Sequence, residues 1–263
     1  MAAIEAPTLA SEVIAHIGSF EVRNTLLMAW IAMAVLFVVS FLTWRTKYKE
    51  IPGRFQTFME MIVEGFFDFW DSIIDDREQT RKIYPLVTSI FIFLVVANWM
   101  GILPGVGSIL VRVHTDGHTS MIPLLRSMNA DVNMTLAFAL MSIIATQVFG
   151  IAALGVAPYM GKFLIAPWKD PIGCFVGLLE IVAEFAKIIS FTFRLFGNIF
   201  AGEVLIVVIS FLVPYIAPIP FLGLEIFVGF IQALVFSMLT AVFIKMATMM
   251  HGGHEEGHEM AHA

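Results

Sequence analysis

Residues 172–213 read IGCFVGLLEIVAEFAKIISFTFRLFGNIFAGEVLIVVISFLV. The run is apolar except for a few polar side chains and the charges Glu180, Glu184, Lys187, Arg194 and Glu203. At 1.5 Å per residue a single helix of this length is about 60 Å long, twice the roughly 30 Å of a hydrocarbon core. Two spans meeting in a tight turn near Gly197 and Gly202 would fit, and so would one long, strongly tilted helix. No cluster of turn residues interrupts the run, which favours the tilted helix. Charges embedded in such a stretch are costly: an arginine at the bilayer centre costs roughly 2.5–3.5 kcal/mol on insertion scales. Arg194 cannot escape that cost by losing its proton, so it is expected to face a partner or a watery cavity rather than lipid.

The rest of the chain agrees with a bilayer protein. Of 263 residues, 59% are hydrophobic and 14% are charged, against about 45–50% apolar and about 25% charged in soluble domains. The net charge of −6, with most acids near the termini or in loops, argues against nucleic acid as a partner. The single cysteine, Cys174, has no partner for an internal disulfide. The opening MAAIEAPTLASE has no positive n-region and is not read as a secretory signal. Insertion is expected to rely on the spans themselves.

A first span is expected over 25–43, followed by the basic Arg45, Lys47 and Lys49. Residues 54–76 place Phe58, Ile62, Phe66, Trp70, Ile73 and Ile74 at helical spacing, with Glu60, Glu64, Asp68, Asp71 and Asp75 between them. That pattern predicts an amphipathic helix lying in the interface or packed on the bundle, and its acidity favours packing against a partner. Further spans are expected at 84–103 and 134–156. Between them lies a polar loop containing Arg112, His114, Asp116, His118 and Arg126. A loop with Lys162, Trp168, Lys169 and Asp170 precedes the 172–213 run. After the prolines at 214, 218 and 220, a last long helix is expected over 221–249.

The expectation is an all-α membrane protein with about five membrane helices plus one amphipathic interfacial helix, the last two membrane helices long and tilted as a hairpin. Residues 1–24 form an outer-side segment, 25–249 the membrane domain, and 250–263 a disordered His-rich tail. Residues 44–82 carry seven Lys and Arg, the 158–171 loop two, and Lys245 adds one, against Arg23, Arg112 and Arg126 on the other side. That bias places the N-terminus outside and the C-terminus in the cytoplasm.

Helical arithmetic organises the embedded charges. Glu180, Lys187 and Arg194 are spaced by seven and form one stripe, with Asn198 close to it; Glu203 lies about half a turn around from Arg194. Glu225 and Gln232 share a face of the returning helix. A hairpin centred near Pro214 puts Glu225 about level with Glu203, and Gln232 about level with Arg194. A carboxyl removed from water favours its neutral form, which makes Glu203 and Glu225 candidates for holding and releasing protons. Glu180, Glu184 and Lys187 can instead be ion pairs that hold the fold, and Glu203 and Glu225 a structural pair sharing a proton. His251, His254, His258 and His262 have metal-compatible spacing, but a solvated tail is the expectation and no metal site is assigned.

These residues carry a resemblance. RLFGNIFAGE at 194–203 resembles the signature of the a subunits of F-type ATP synthases, the membrane stator beside the rotating ring of c subunits. NADVNMTLAFAL at 129–140, FLVVANWMGILPG at 93–105 and IQALVFSMLT at 231–240 are similar to other stretches of that family, in the family's order. The resemblance covers roughly 25–249. It implies that Arg194 is the essential arginine facing the ring carboxylates, and that Asn198 and Glu203 are polar positions of the proton path. It further implies that Gln232 is the glutamine near that arginine, and Glu225 a titratable position filled by histidine or glutamate. Glu180 would be an acid of the cytoplasmic half-channel and Lys187 a basic family position, although Ile188 replaces a proline common just after it. Asp131 would lie near the periplasmic half-channel.

The implied partners are the c-ring, the peripheral-stalk b subunits and the lipid bilayer, with protons as the transported ion, no cofactor and no catalysis by this chain alone. A bacterial inner membrane is the implied location. A secondary ion-coupled transporter using intramembrane carboxylates is the alternative, but such folds often carry internal repeats and no convincing repeat is visible. An intramembrane metal hydrolase needs ligands within a span, and the expected spans contain no histidine.

Overall fold

The computed structural model describes residues 11–249 except 19, 46–52, 108, 116–117, 162, 164–170 and 215. Lys47, Lys49, Asp116, the Lys162 and Trp168–Asp170 positions and the His-rich tail lie outside the described residues. Among the described residues seven helices run in chain order: α1 (Asn24–Arg45), α2 (Arg54–Ile74), α3 (Arg77–Ile102), α4 (Val132–Leu154), the short α5 (Val156–Met160), α6 (Pro171–Leu212) and α7 (Pro218–Thr248). Five of them, α1, α3, α4, α6 and α7, are long and apolar enough to cross a membrane. The all-α membrane architecture is thus borne out. Two short antiparallel hairpins flank the spans: β1 (Val13–Ile17) with β2 (Phe20–Arg23), and β4 (Leu110–Thr115) with β5 (His118–Pro123). A further short strand, β3 (Pro104–Gly107), follows α3.

The 172–213 run is one unbroken helix of 42 residues that passes through both Gly197 and Gly202. At about 63 Å it exceeds a hydrocarbon core of about 30 Å. It ends ahead of Pro214, and α7 begins on Pro218, where a missing N–H is harmless because the first turn has no acceptor for it. The two helices pack on each other as a hairpin.

Helix α3 starts seven residues before the expected 84. Its first turns, REQTRKI, are too polar to read as a span, yet Asp76 caps them by accepting from the Glu78 and Gln79 amides at 3.0 and 3.2 Å. Asp75, with φ 57°, closes α2 just before it. Together they reverse the chain so that α2 lies along α3.

Helices α3, α4, α6 and α7 share one core built around Phe91, Leu94, Phe191, Leu195 and Phe236. Small residues at the contacts, Ala139, Ala233 and Ala241, let the backbones approach closely. Helix α1 packs on α3 through Met28, Ala29 and Ala97. Helix α2 buries Trp70 and Ile74 against α3 and α7, while Glu60, Glu64 and Asp68 are exposed.

Trp70 fixes α2 in place: it is fully buried, and its indole N–H donates to Thr88 Oγ1 at 3.1 Å. Trp70→Ala is expected to destabilise the subunit by about 3 kcal/mol, read as a lower midpoint in a detergent unfolding titration. An unchanged midpoint would show that this ring does not hold α2.

Candidate functional site

The α6–α7 hairpin brings residues on either side of its turn face to face. Glu203 and Glu225 line one cleft of about 430 Å³, together with Asn98, Arg126, Ser127 and Leu222. Glu225 packs against the α6 backbone at Gly202, where a Cβ would sit 2.6 Å from its Oε1. Its other oxygen, Oε2, is buried and has no hydrogen-bond partner among the described residues.

Glu203 is held differently. Arg126 Nε donates to both of its carboxylate oxygens at 3.0 and 3.3 Å, and Nη2 adds a bond of 3.1 Å. The arginine side chain is only 5% exposed. The sequence pattern puts Arg126 in a polar loop and counts it with Arg23 and Arg112 on the outer side. Its neighbours could have given warning, since it lies five residues before Asp131, at the edge of the NADVN stretch.

Asn98 is a second polar group of the site that the sequence pattern does not single out. It sits in the apolar end of α3, fully buried, and donates to the Gly229 carbonyl of α7 at 2.8 Å. Asn129, from the 3-10 turn Met128–Ala130, donates to its Oδ1 at 2.6 Å. A polar residue inside an otherwise apolar span was the available signal. Glu225, Gly229 and Gln232 lie four and three residues apart, so Asn98 meets α7 midway along their shared face.

Gln232 accepts from Asn198 Nδ2 at 2.6 Å. Its contact therefore falls one turn along α6 from Arg194, the residue with which the hairpin arithmetic had levelled it. Its own Nε2 is buried without a partner among the described residues. Arg194 donates to Ser190 Oγ at 3.2 Å and lies 5.8 Å from the Phe191 ring centroid. No carboxylate among the described residues is within ion-pair distance of it. Glu180 and Asn198, on the same stripe, are exposed, as are the nearby Ile189 and Phe193.

The other embedded basic residue has its counter-ion within the chain. Lys187 bonds Glu184 at 2.6 Å and sits 4.8 Å above the Phe243 ring. Near the same end of α6, Tyr159 of α5 donates to Gln147 at 2.5 Å. Burial first, and then the charges of Glu184 and Glu180, push its phenol up from the ordinary value. Asp131 is also fully engaged. It caps α4 through the Asn133 amide at 2.9 Å and accepts from Ser11 at 2.5 Å and Thr25 at 3.1 Å. The described residues contain no cluster of His, Cys, Asp or Glu suited to a metal.

Fold and site together define a multi-pass helical membrane protein with two acids lining a cleft between its helices and an arginine on its flank that meets no carboxylate among the described residues. Residues 26–245 match the family model described as ATP synthase A chain. ATP synthase subunit a of Moorella thermoacetica is 32% identical over 238 residues, covering 90% of this chain and 95% of that protein. ATP synthase subunit a of Geotalea daltonii is 31% identical over 232 residues, covering 87% and 86% respectively. The chain belongs to the ATP synthase A chain family, whose members are membrane subunits of the synthase's proton channel and are not catalytic by themselves.

Proposed function

We propose that the chain is the proton-conducting stator of an F-type ATP synthase, forming two offset half-channels against a rotating c-ring in a bacterial inner membrane. The observation that carries this reading is the bare flank around Arg194. A fixed guanidinium in an apolar span costs several kcal/mol unless an anion meets it, and the chain's described residues offer none. A carboxylate arriving on a neighbouring subunit supplies it. The c-ring is that neighbour. The b subunits and lipid cover other faces, and α2 lies at the membrane interface.

Protons reach a ring carboxyl through the cleft of Glu203 and Glu225, which opens outward when the N-terminal segment 1–24 is outside. The neutral carboxyl enters lipid and the ring turns. On returning, it meets Arg194, whose charge favours the ionised form. The proton leaves past Glu180 on the cytoplasmic side. Arg194 also repels any proton crossing directly between the half-channels. Each charge falling through 100 mV supplies about 2.3 kcal/mol. Asn198 and Gln232 hold the α6–α7 contact beside the arginine. Lys187 is compensated by Glu184 at the exit, and Asp131 fastens the outer end of α4 beside the inlet.

Crosslinking tests the ring-facing flank. With Cys174→Ser as background, an Asn198→Cys variant is expected to form a disulfide with a cysteine placed near the ion-carrying carboxylate of a small ring subunit. Failure to reach any ring subunit, in complexes that still assemble, would refute the assignment.

A further inference from the structure

We propose that Arg126 and Glu203 form a fixed, mutually neutralising ion pair, and that Glu225 alone exchanges protons in the outer cleft. The inference rests on the proton path proposed above and divides its labour. Three ionisable side chains line the cleft among the described residues: Arg126, Glu203 and Glu225. Glu203 is bound to Arg126 through both oxygens at 3.0 to 3.3 Å. Such forked pairs fix geometry as well as charge. Breaking a buried pair from one side strands the other charge, and Arg126 is almost completely enclosed.

A proton carrier must change partners at every passage. For Glu203 each passage would mean giving up three charge-assisted bonds to an enclosed guanidinium. Glu225 gives up none, because its buried Oε2 has no bond to lose within the described residues. Arg126 is then a positioning residue: it anchors the loop ahead of α4 to α6 and cancels Glu203, so that among the described residues Glu225 is the acid of the cleft without a cation.

The pair makes a specific prediction about double variants. In Glu203→Gln, Arg126 loses its three bonds to that carboxylate, takes Glu225 as a replacement partner and removes the carrier. Passive proton conduction, measured in vesicles stripped of the soluble catalytic sector, should fall about tenfold or more. Arg126→Gln/Glu203→Gln removes both charges, frees Glu225 again, and should recover at least half of the wild-type conduction. Arg126→Lys, which keeps the charge but not the fork, should conduct better than Arg126→Gln. Glu225→Gln should not conduct, and adding Arg126→Gln should not rescue it. If the double neutral variant is no better than Glu203→Gln alone, in complexes that assemble normally, Arg126 is merely structural and the division of labour is wrong. Normal conduction by Glu225→Gln would instead overturn the underlying path.

Discussion

Arg194→Ala is expected to abolish proton-driven ATP synthesis while leaving the subunit folded. The two halves of that result have different physical origins. Among the described residues the guanidinium makes one long bond, to Ser190 at 3.2 Å, and a loose contact with Phe191. Removing it breaks no ion pair among the described residues and opens no core cavity, because Arg194 is not part of the packed cluster. On the proposed reading, what is lost lies outside the chain. The ring carboxylate that offsets an intramembrane arginine must recover at least the roughly 3 kcal/mol that the bare charge costs, and about 2.7 kcal/mol is already a hundredfold in rate. Arg194→Lys should restore only part, since an ammonium is a point charge without the planar fork. Synthesis driven by an imposed proton gradient in membrane vesicles is the measurement, with passive leak as its companion. Arg194→Ala vesicles that synthesise ATP at near the wild-type rate would remove Arg194 from the centre of the mechanism. A variant that failed to assemble would contradict the sparse contacts seen around it.

This asymmetry also explains which parts of the site were legible in the sequence. A charge inside an apolar run announces itself, so Arg194, Glu203 and Glu225 were all visible, and helical spacing placed Glu180, Lys187 and Asn198 on one stripe. The spans were legible because length and hydropathy are local properties. Local signals did not predict the first turns of α3, whose polar residues are helical because Asp76 caps them and α2 folds back alongside. Nor did they reveal Arg126, which meets Glu203 across 77 residues of sequence. The same holds for Asn98, which reaches the Gly229 carbonyl from 131 residues away. An arginine in a loop looks solvated until the fold brings an acid to it. Hairpin arithmetic levelled Gln232 with Arg194, whereas the amide bonds Asn198 one turn further on, because positions along two helices do not fix where a long side chain points.

The second large effect concerns Glu225 and the glycine that makes room for it. Glu225→Gln should stop delivery from the outer cleft, because an amide accepts and donates hydrogen bonds but cannot carry the exchanging proton. Gly202 offers a way to reach the same end without touching the carboxyl. A Cβ at that position would fall 2.6 Å from Glu225 Oε1, closer than atoms tolerate, and 3.0 Å from its carboxyl carbon, tighter than nearly all such contacts. The clashing atoms are the far end of a flexible side chain, so the glutamate can turn away instead of straining the α6 backbone. Alanine also gains about 1 kcal/mol of helix propensity over glycine. Gly202→Ala should therefore assemble at least as well as the wild type and yet conduct protons more slowly, since its carboxyl is aimed elsewhere. Gly202→Leu, whose side chain fills the space between α6 and α7, should approach the loss seen in Glu225→Gln. Stability and conduction are thus expected to move in opposite directions in the alanine variant, which a simple packing defect does not produce. Full conduction in Gly202→Leu complexes would mean that the position of the Glu225 carboxyl beside α6 is irrelevant to delivery, and the cleft would lose its role as the inlet.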